Sequence, residues 1–110
     1  MNDAGMDEAA FNTLAEAELR QIEARLEACG VELDLELKPG GVLEVEFENG
    51  SKLIINRHTA AREIWLAARS GGYHFRPQDG AWISGRDGAE LYATLARVLA
   101  EQSGAGEVKI

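Results

Sequence analysis

Cysteine is nearly missing from this 110-residue chain: Cys29 stands alone. An internal disulfide and any multi-cysteine metal site are therefore excluded, and Cys29 is expected to pack as a small apolar residue at a helix end. Histidine is scarce as well. His58 and His74 are the only two, and neither belongs to a Glu-x-x-His or His-x-x-x-His metal spacing. There is no Gly-rich phosphate loop and no nucleophile elbow, so the residues predict no catalytic centre. No apolar run approaches membrane-spanning length. The segment MNDAGMDEAAF is acidic rather than Arg-rich, which gives the expectation of no secretory or mitochondrial leader and a cytoplasmic site of action.

Positive charge is the other shortage, and it is local. Residues 1–37 carry ten carboxylates against two arginines, Arg20 and Arg25, while the remaining residues carry nine acidic and nine basic side chains. The whole formal net charge of -8 thus lies in the first third. Such a field repels nucleic acid and anionic membranes and attracts cations or basic protein surfaces. The length suits one domain over residues 1–110, with a single two-layer core.

What is present is a regular alternation of patterns. Phe11, Ala15, Leu19, Ile22, Leu26 and Cys29 recur at helical spacing, predicting an amphipathic helix from about Asp7 to Cys29 that ends at Gly30. Glu16, Arg20, Glu23 and Glu27 form a charged stripe on its other side. Residues 31–37 (VELDLEL) alternate strictly, with Val31, Leu33, Leu35 and Leu37 on a core row and Glu32, Asp34 and Glu36 outward. Three outward carboxylates protect a strand against foreign pairing, which places it at a sheet edge, beside the helix stripe. Charge patterning alone reads the resulting ridge as a solvated face that aids solubility.

Residues 42–48, 51–56 and 62–68 predict three more strands. The first hairpin fixes its own register. A two-residue Asn49-Gly50 turn would set Glu46 against Leu53 and Glu44 against Ile55, whereas a three-residue loop over 48–50 with Gly50 left-handed pairs Val45 with Leu53, Leu43 with Ile55 and Glu46 with Lys52. The second arrangement gives one clean apolar face. Ile54, Asn56 and His58 then point outward, and since Ile64, Leu66 and Ala68 make the better core row, Trp65 falls outward with them. An outward Trp is either an interface anchor or a ring folded over its own sheet.

Tyr73–Arg76 and Ala81–Ser84 predict two short strands, with Tyr73 and Phe75 inward, His74 and Arg76 outward, and a turn over 77–80. Asp87 followed by Glu90 predicts a capping box for a second helix running to about Gln102, stopped by Gly104-Ala105-Gly106, after which Val108 and Ile110 are expected to pack between the helices. Helix, five to six strands, helix implies an α+β fold, a two-layer sandwich with both helices on one face of an antiparallel sheet.

The segments GGVL at 40–43, FENGSKLIINR at 47–57, IWLA at 64–67, GGYHF at 71–75 and WI at 82–83 resemble the frataxin family in its bacterial, CyaY-type branch. The resemblance runs over nearly the whole chain and implies the same sandwich fold. It implies a non-enzymatic, regulatory role in iron-sulfur cluster assembly, with ferrous or ferric iron bound weakly by carboxylates of the first helix and first strand. By that resemblance the metal-binding ridge is Glu16, Glu23, Glu27, Glu32 and Asp34, flanked by Asp7, Glu8 and Glu36. The implied partners are the cysteine desulfurase and the scaffold protein. Asn56 and Trp65, with Ile54, His58 and His74 beside them, form the partner-binding sheet face. His58 departs from the Gln common in the family, and His74 from the basic residue of eukaryotic members. The short Cys29-Gly30-Val31 link lacks acidic residues found in some relatives. A monomer is expected, with iron-driven oligomers as the alternative. A ferroxidase-type enzyme or an iron-storage oligomer stand as rival readings of function.

Overall fold

The computed structural model describes residues 6–110; Asp3, counted above with the acidic third, lies outside them. Helix α1 spans Glu8–Glu27 and is capped by Asp7, whose carboxylate accepts from the Ala10 amide at 2.7 Å. An oxygen at this position satisfies one of the helix's free N–H donors. Phe11, Ala15, Leu19, Ile22 and Leu26 are all within 2% of full burial. That row contributes most to holding α1 on the sheet, at about 1.5–3 kcal/mol for each large apolar side chain removed from water.

Six antiparallel strands follow in unbroken sequence order: β1 (Leu33–Lys38), β2 (Val42–Phe47), β3 (Lys52–His58), β4 (Glu63–Ala68), β5 (Gly71–Gln78) and β6 (Ala81–Ile83). The β2–β3 register is Leu43 with Ile55, Val45 with Leu53 and Glu46 with Lys52, as the side chains predicted. Gly50 sits at φ 87° in the loop. Helix α2 spans Leu91–Ser103 and ends on Gly104 in the left-handed region. Both helices cover the inner face, where Leu43, Val45, Phe47, Leu53, Ile55, Ile64, Leu66 and Phe75 are buried.

Polar clamps fix the helices on this face. Glu18 of α1 accepts from Trp82 Nε1 at 3.1 Å and from the Tyr92 hydroxyl, while the Arg25 guanidinium lies 4.0 Å from the centre of the Tyr92 ring. Burial, then the bond to Glu18, pushes the Tyr92 phenol well above its ordinary value. At the far end of α2, buried Gln102 donates to Ser51 Oγ and the Lys52 carbonyl, and accepts from the Arg69 amide. Val108 is buried in the core and Ile110 packs against it.

Several expectations are corrected. Leu37 is 42% exposed rather than core, because it lies at the far end of the edge strand, where one neighbour is missing; Leu33 and Leu35 are half-buried. The first strand begins at Leu33, not Val31. Pro77 is no turn residue: it is buried in β5 opposite Trp82. The turn is Asp79-Gly80 alone, both at positive φ, 51° and 82°, which is the two-residue turn whose twist matches a hairpin. Asp87 does not cap α2. Glu90 does, accepting from the Tyr92 and Ala93 amides, while Asp87 bonds the Ala89 amide in the preceding turn.

Candidate functional site

Two surfaces bear on function, and each follows from where the strands lie. The first is acidic. Glu16, Leu19 and Arg20 of α1 line a cleft with Leu37, Lys38, Gly41 and Arg57, so the charged stripe of the helix does adjoin the β1 edge. Glu8, Glu16, Glu27, Glu32, Asp34 and Glu36 are exposed and Glu23 is half-buried.

Two of the eight candidate metal ligands already have partners inside the chain. Asp7 is the cap of α1. Glu16 pairs with the Arg57 guanidinium, which reaches it from the inner side of β3. That path needs Gly41, since a Cβ there would sit 2.9 Å from Arg57 Nε. Among the described residues, no three His, Cys, Asp or Glu side chains converge as a metal shell. The carboxylates are an array along α1 and β1, suited to loose, exchangeable contacts with hard cations rather than to one closed site.

The pairing of β1 with β2 enlarges this array in a way spacing alone did not reveal. Asp34 lies directly opposite Glu46, and Glu36 opposite Glu44. Glu32, Asp34, Glu46 and Glu48 line one groove. Like charges directly opposed across strands repel, and among the described residues only one rung is compensated: Lys38 and Lys52 lie 3.1 and 3.5 Å from Glu44. The Lys38 hydrogen bond, and then the charges of both lysines, hold the Glu44 carboxyl below its ordinary value despite partial desolvation. The signal that could have found Glu46 and Glu48 was the β1–β2 register.

The second surface is the outer face of the sheet, which neither α1 nor α2 covers among the described residues. Asn56 of β3 pairs across to Trp65 of β4, and Trp65 to His74 of β5. The three rings stack: His58 and Trp65 have centroids 3.8 Å apart and planes 13° from parallel, and Trp65 and His74 have centroids 4.2 Å apart at 11°. Trp65 is half-buried, as are Ile54, Asn56 and His58, while His74 is exposed. Thus all five predicted face residues are together on one side of β3–β5. Sequence reasoning missed Glu63. Its carboxylate accepts from Trp65 Nε1 at 2.8 Å and from the Arg76 guanidinium at 3.1 Å, and lies 3.9 Å from His74 Nδ1. Among the described residues, no helix is long and apolar enough to cross a membrane.

Comparison with known proteins gives this geometry a context. The model of the frataxin-like domain matches residues 4–105. The iron-sulfur cluster assembly protein CyaY of Dechloromonas aromatica is 54% identical over 99 residues, which cover 90% of this chain and 94% of that protein. The protein of the same name from Ralstonia nicotianae is 46% identical over 101 residues, 89% of each chain. Among solved structures, a frataxin from Psychromonas ingrahamii superposes with a TM-score of 0.84 at 35% identity, covering 94% of this chain and 97% of its own. A trimeric yeast frataxin in a ferrous complex superposes at 0.63 with 26% identity, covering 91% and 88%. A helix-flanked six-strand meander and a match over nearly the full length lead to one conclusion: the chain belongs to the frataxin family.

Proposed function

We propose that this protein, a single frataxin-like unit acting in the bacterial cytoplasm, is an accessory and regulatory component of iron-sulfur cluster assembly and not an enzyme. Iron is its cargo or its signal, held weakly by the carboxylate array of α1 and β1. The cysteine desulfurase docks on that acidic flank through a basic groove, drawn by long-range attraction. The scaffold protein docks on the sheet face around Asn56 and Trp65, so that iron is sensed or presented where the two meet. The observation that carries the reading is the ordered Trp65 column on a face left bare by both helices, on a chain closely similar to proteins named for this pathway. Half-buried aromatic rings on a helix-free face have the character of interface anchors.

The test is an anaerobic assembly assay with desulfurase, scaffold, cysteine and ferrous iron, in which this protein is titrated against the desulfurase. The rate of cluster formation is expected to fall as the protein is added, and Trp65→Ala is expected to abolish the effect while the protein stays folded. A rate that does not respond at any ratio would contradict the proposal. The ferrous trimer among the structural neighbours supports a second reading, an iron-driven oligomer. Sedimentation with and without ferrous iron separates the two, because only the second predicts assemblies larger than the monomer.

A further inference from the structure

We infer that Glu63 is the positioning residue of the sheet face: it holds Trp65 between two imidazoles, so that a partner meets the edges of a three-ring column and never a free indole face. The partner-contact half of this inference rests on the docking role proposed above for that face. The positioning half stands on geometry alone.

Trp65 has one hydrogen-bond donor, Nε1–H, and Glu63 Oε1 accepts it at 2.8 Å. Glu63 is itself well fixed. Its side chain is only 15% exposed, and its second oxygen takes the Arg76 guanidinium at 3.1 Å. With the indole tethered at its nitrogen, both faces are covered by near-parallel rings, His58 on one side and His74 on the other. His58 is tethered too: its Nδ1 accepts from the Ala61 amide at 3.3 Å, so in the neutral ring the hydrogen is on Nε2. His74 Nδ1 faces the same Glu63 oxygen that holds the indole, at 3.9 Å.

The consequence is a specificity rule. Because both indole faces are covered by imidazoles and the indole donor is consumed by Glu63, this surface cannot receive an aromatic side chain stacked on Trp65 without displacing an imidazole. It offers ring edges, which carry the positive end of the aromatic quadrupole. The matching partner surface presents acceptor oxygens, or the negative face of a ring met edge-on by the column, rather than an aromatic side chain stacked on Trp65.

The experiment uses the full chain and the two indole N–H signals in a nitrogen-15 correlation spectrum, with Trp65→Phe identifying which one is Trp65. In the unaltered protein the Trp65 indole hydrogen should exchange slowly with solvent. Glu63→Ala should speed that exchange roughly tenfold or more, the loss of one charge-assisted hydrogen bond, and shift the His58 and His74 ring signals. Glu63→Gln, which keeps an acceptor oxygen, should retain the slow exchange. Unchanged amide protection at Leu53, Ile55 and Leu66 in both variants would show that the core is intact. An indole signal in Glu63→Ala that matches the unaltered protein would overturn the inference. A second arm measures affinity for the purified scaffold protein. Trp65→Ala and Glu63→Ala should both weaken it, Glu63→Gln much less. Weakening by Trp65→Ala alone would overturn the specificity rule, whereas no effect of Trp65→Ala would sink the docking role of the face and leave the indole result to stand on its own.

Discussion

Gln102 is 5% exposed, yet its amide nitrogen donates to Ser51 Oγ and the Lys52 carbonyl, and its oxygen accepts from the Arg69 amide. It stitches the end of α2 to the β2–β3 loop and the β4–β5 turn. Replacing Gln102 by Ala should cost about 2–3 kcal/mol in urea unfolding, since it strands buried polar groups; a cost near zero would mean that they find other partners. Glu44 makes the corresponding surface prediction. Its carboxyl is held below the ordinary value by the Lys38 hydrogen bond and by the lysine charges. A depressed folded-state value means that this contribution to stability is fully present above the ordinary carboxylate value and is lost as pH falls through the folded one. Lys38→Met should therefore move the Glu44 titration midpoint upward in a carboxyl carbon-13 NMR titration, and an unmoved midpoint would show that Lys52 suffices.

At the scale of elements, the loops decide what the side-chain patterns leave open. Gly50 and Gly41 both occupy the left-handed region, at φ 87° and 77°. Either Gly→Ala change should cost roughly 1–2 kcal/mol for the backbone alone. Gly41→Ala should cost more, because its Cβ would also meet the Arg57 side chain, whereas nothing lies within 4 Å of a Cβ at Gly50. Equal losses in thermal unfolding would contradict the Arg57 path beneath α1. Helix α2 offers a cleaner contrast: Glu90→Ala removes its cap and should cost about 1 kcal/mol, and Asp87→Ala should cost less. These same elements show what the sequence made legible. The β2–β3 register was readable because mixing Glu44 and Glu46 with Leu53 and Ile55 on one face is so unfavourable. The cap of α2 was not, because Asp-x-x-Glu is satisfied by either residue until the turn over 84–88, closed by Gly88 N–H to the Ser84 carbonyl, sets Asp87 outside the helix. The face residues Asn56 and Trp65 could be read from alternation. Glu63 could not, since Arg76 joins it from β5 and the stacking depends on rotamers that spacing does not encode.

For the whole molecule, the sandwich separates two kinds of surface: carboxylates along α1 and the β1–β2 end of the sheet, and stacked rings on its β3–β5 centre. The charge lean was fully visible in the sequence. Its shape was not, because Glu46 and Glu48 enter the acidic groove only through the β1–β2 pairing. Reversing Glu23 and Glu27 to Lys should weaken desulfurase binding, with the largest loss at low salt, where long-range attraction between charged surfaces is least screened. A loss independent of salt would point to a short-range contact instead. The central claim, that one acidic flank serves both metal and partner while the ring column serves a different one, is tested most directly by a residue-resolved amide NMR titration under anaerobic conditions, first with ferrous iron and then with the cysteine desulfurase. Both titrations are expected to perturb residues 7–36 and their β2 neighbours and to leave Trp65 unchanged. Iron effects centred on His58 and His74, with the flank silent, would contradict the account and move the metal to the sheet face.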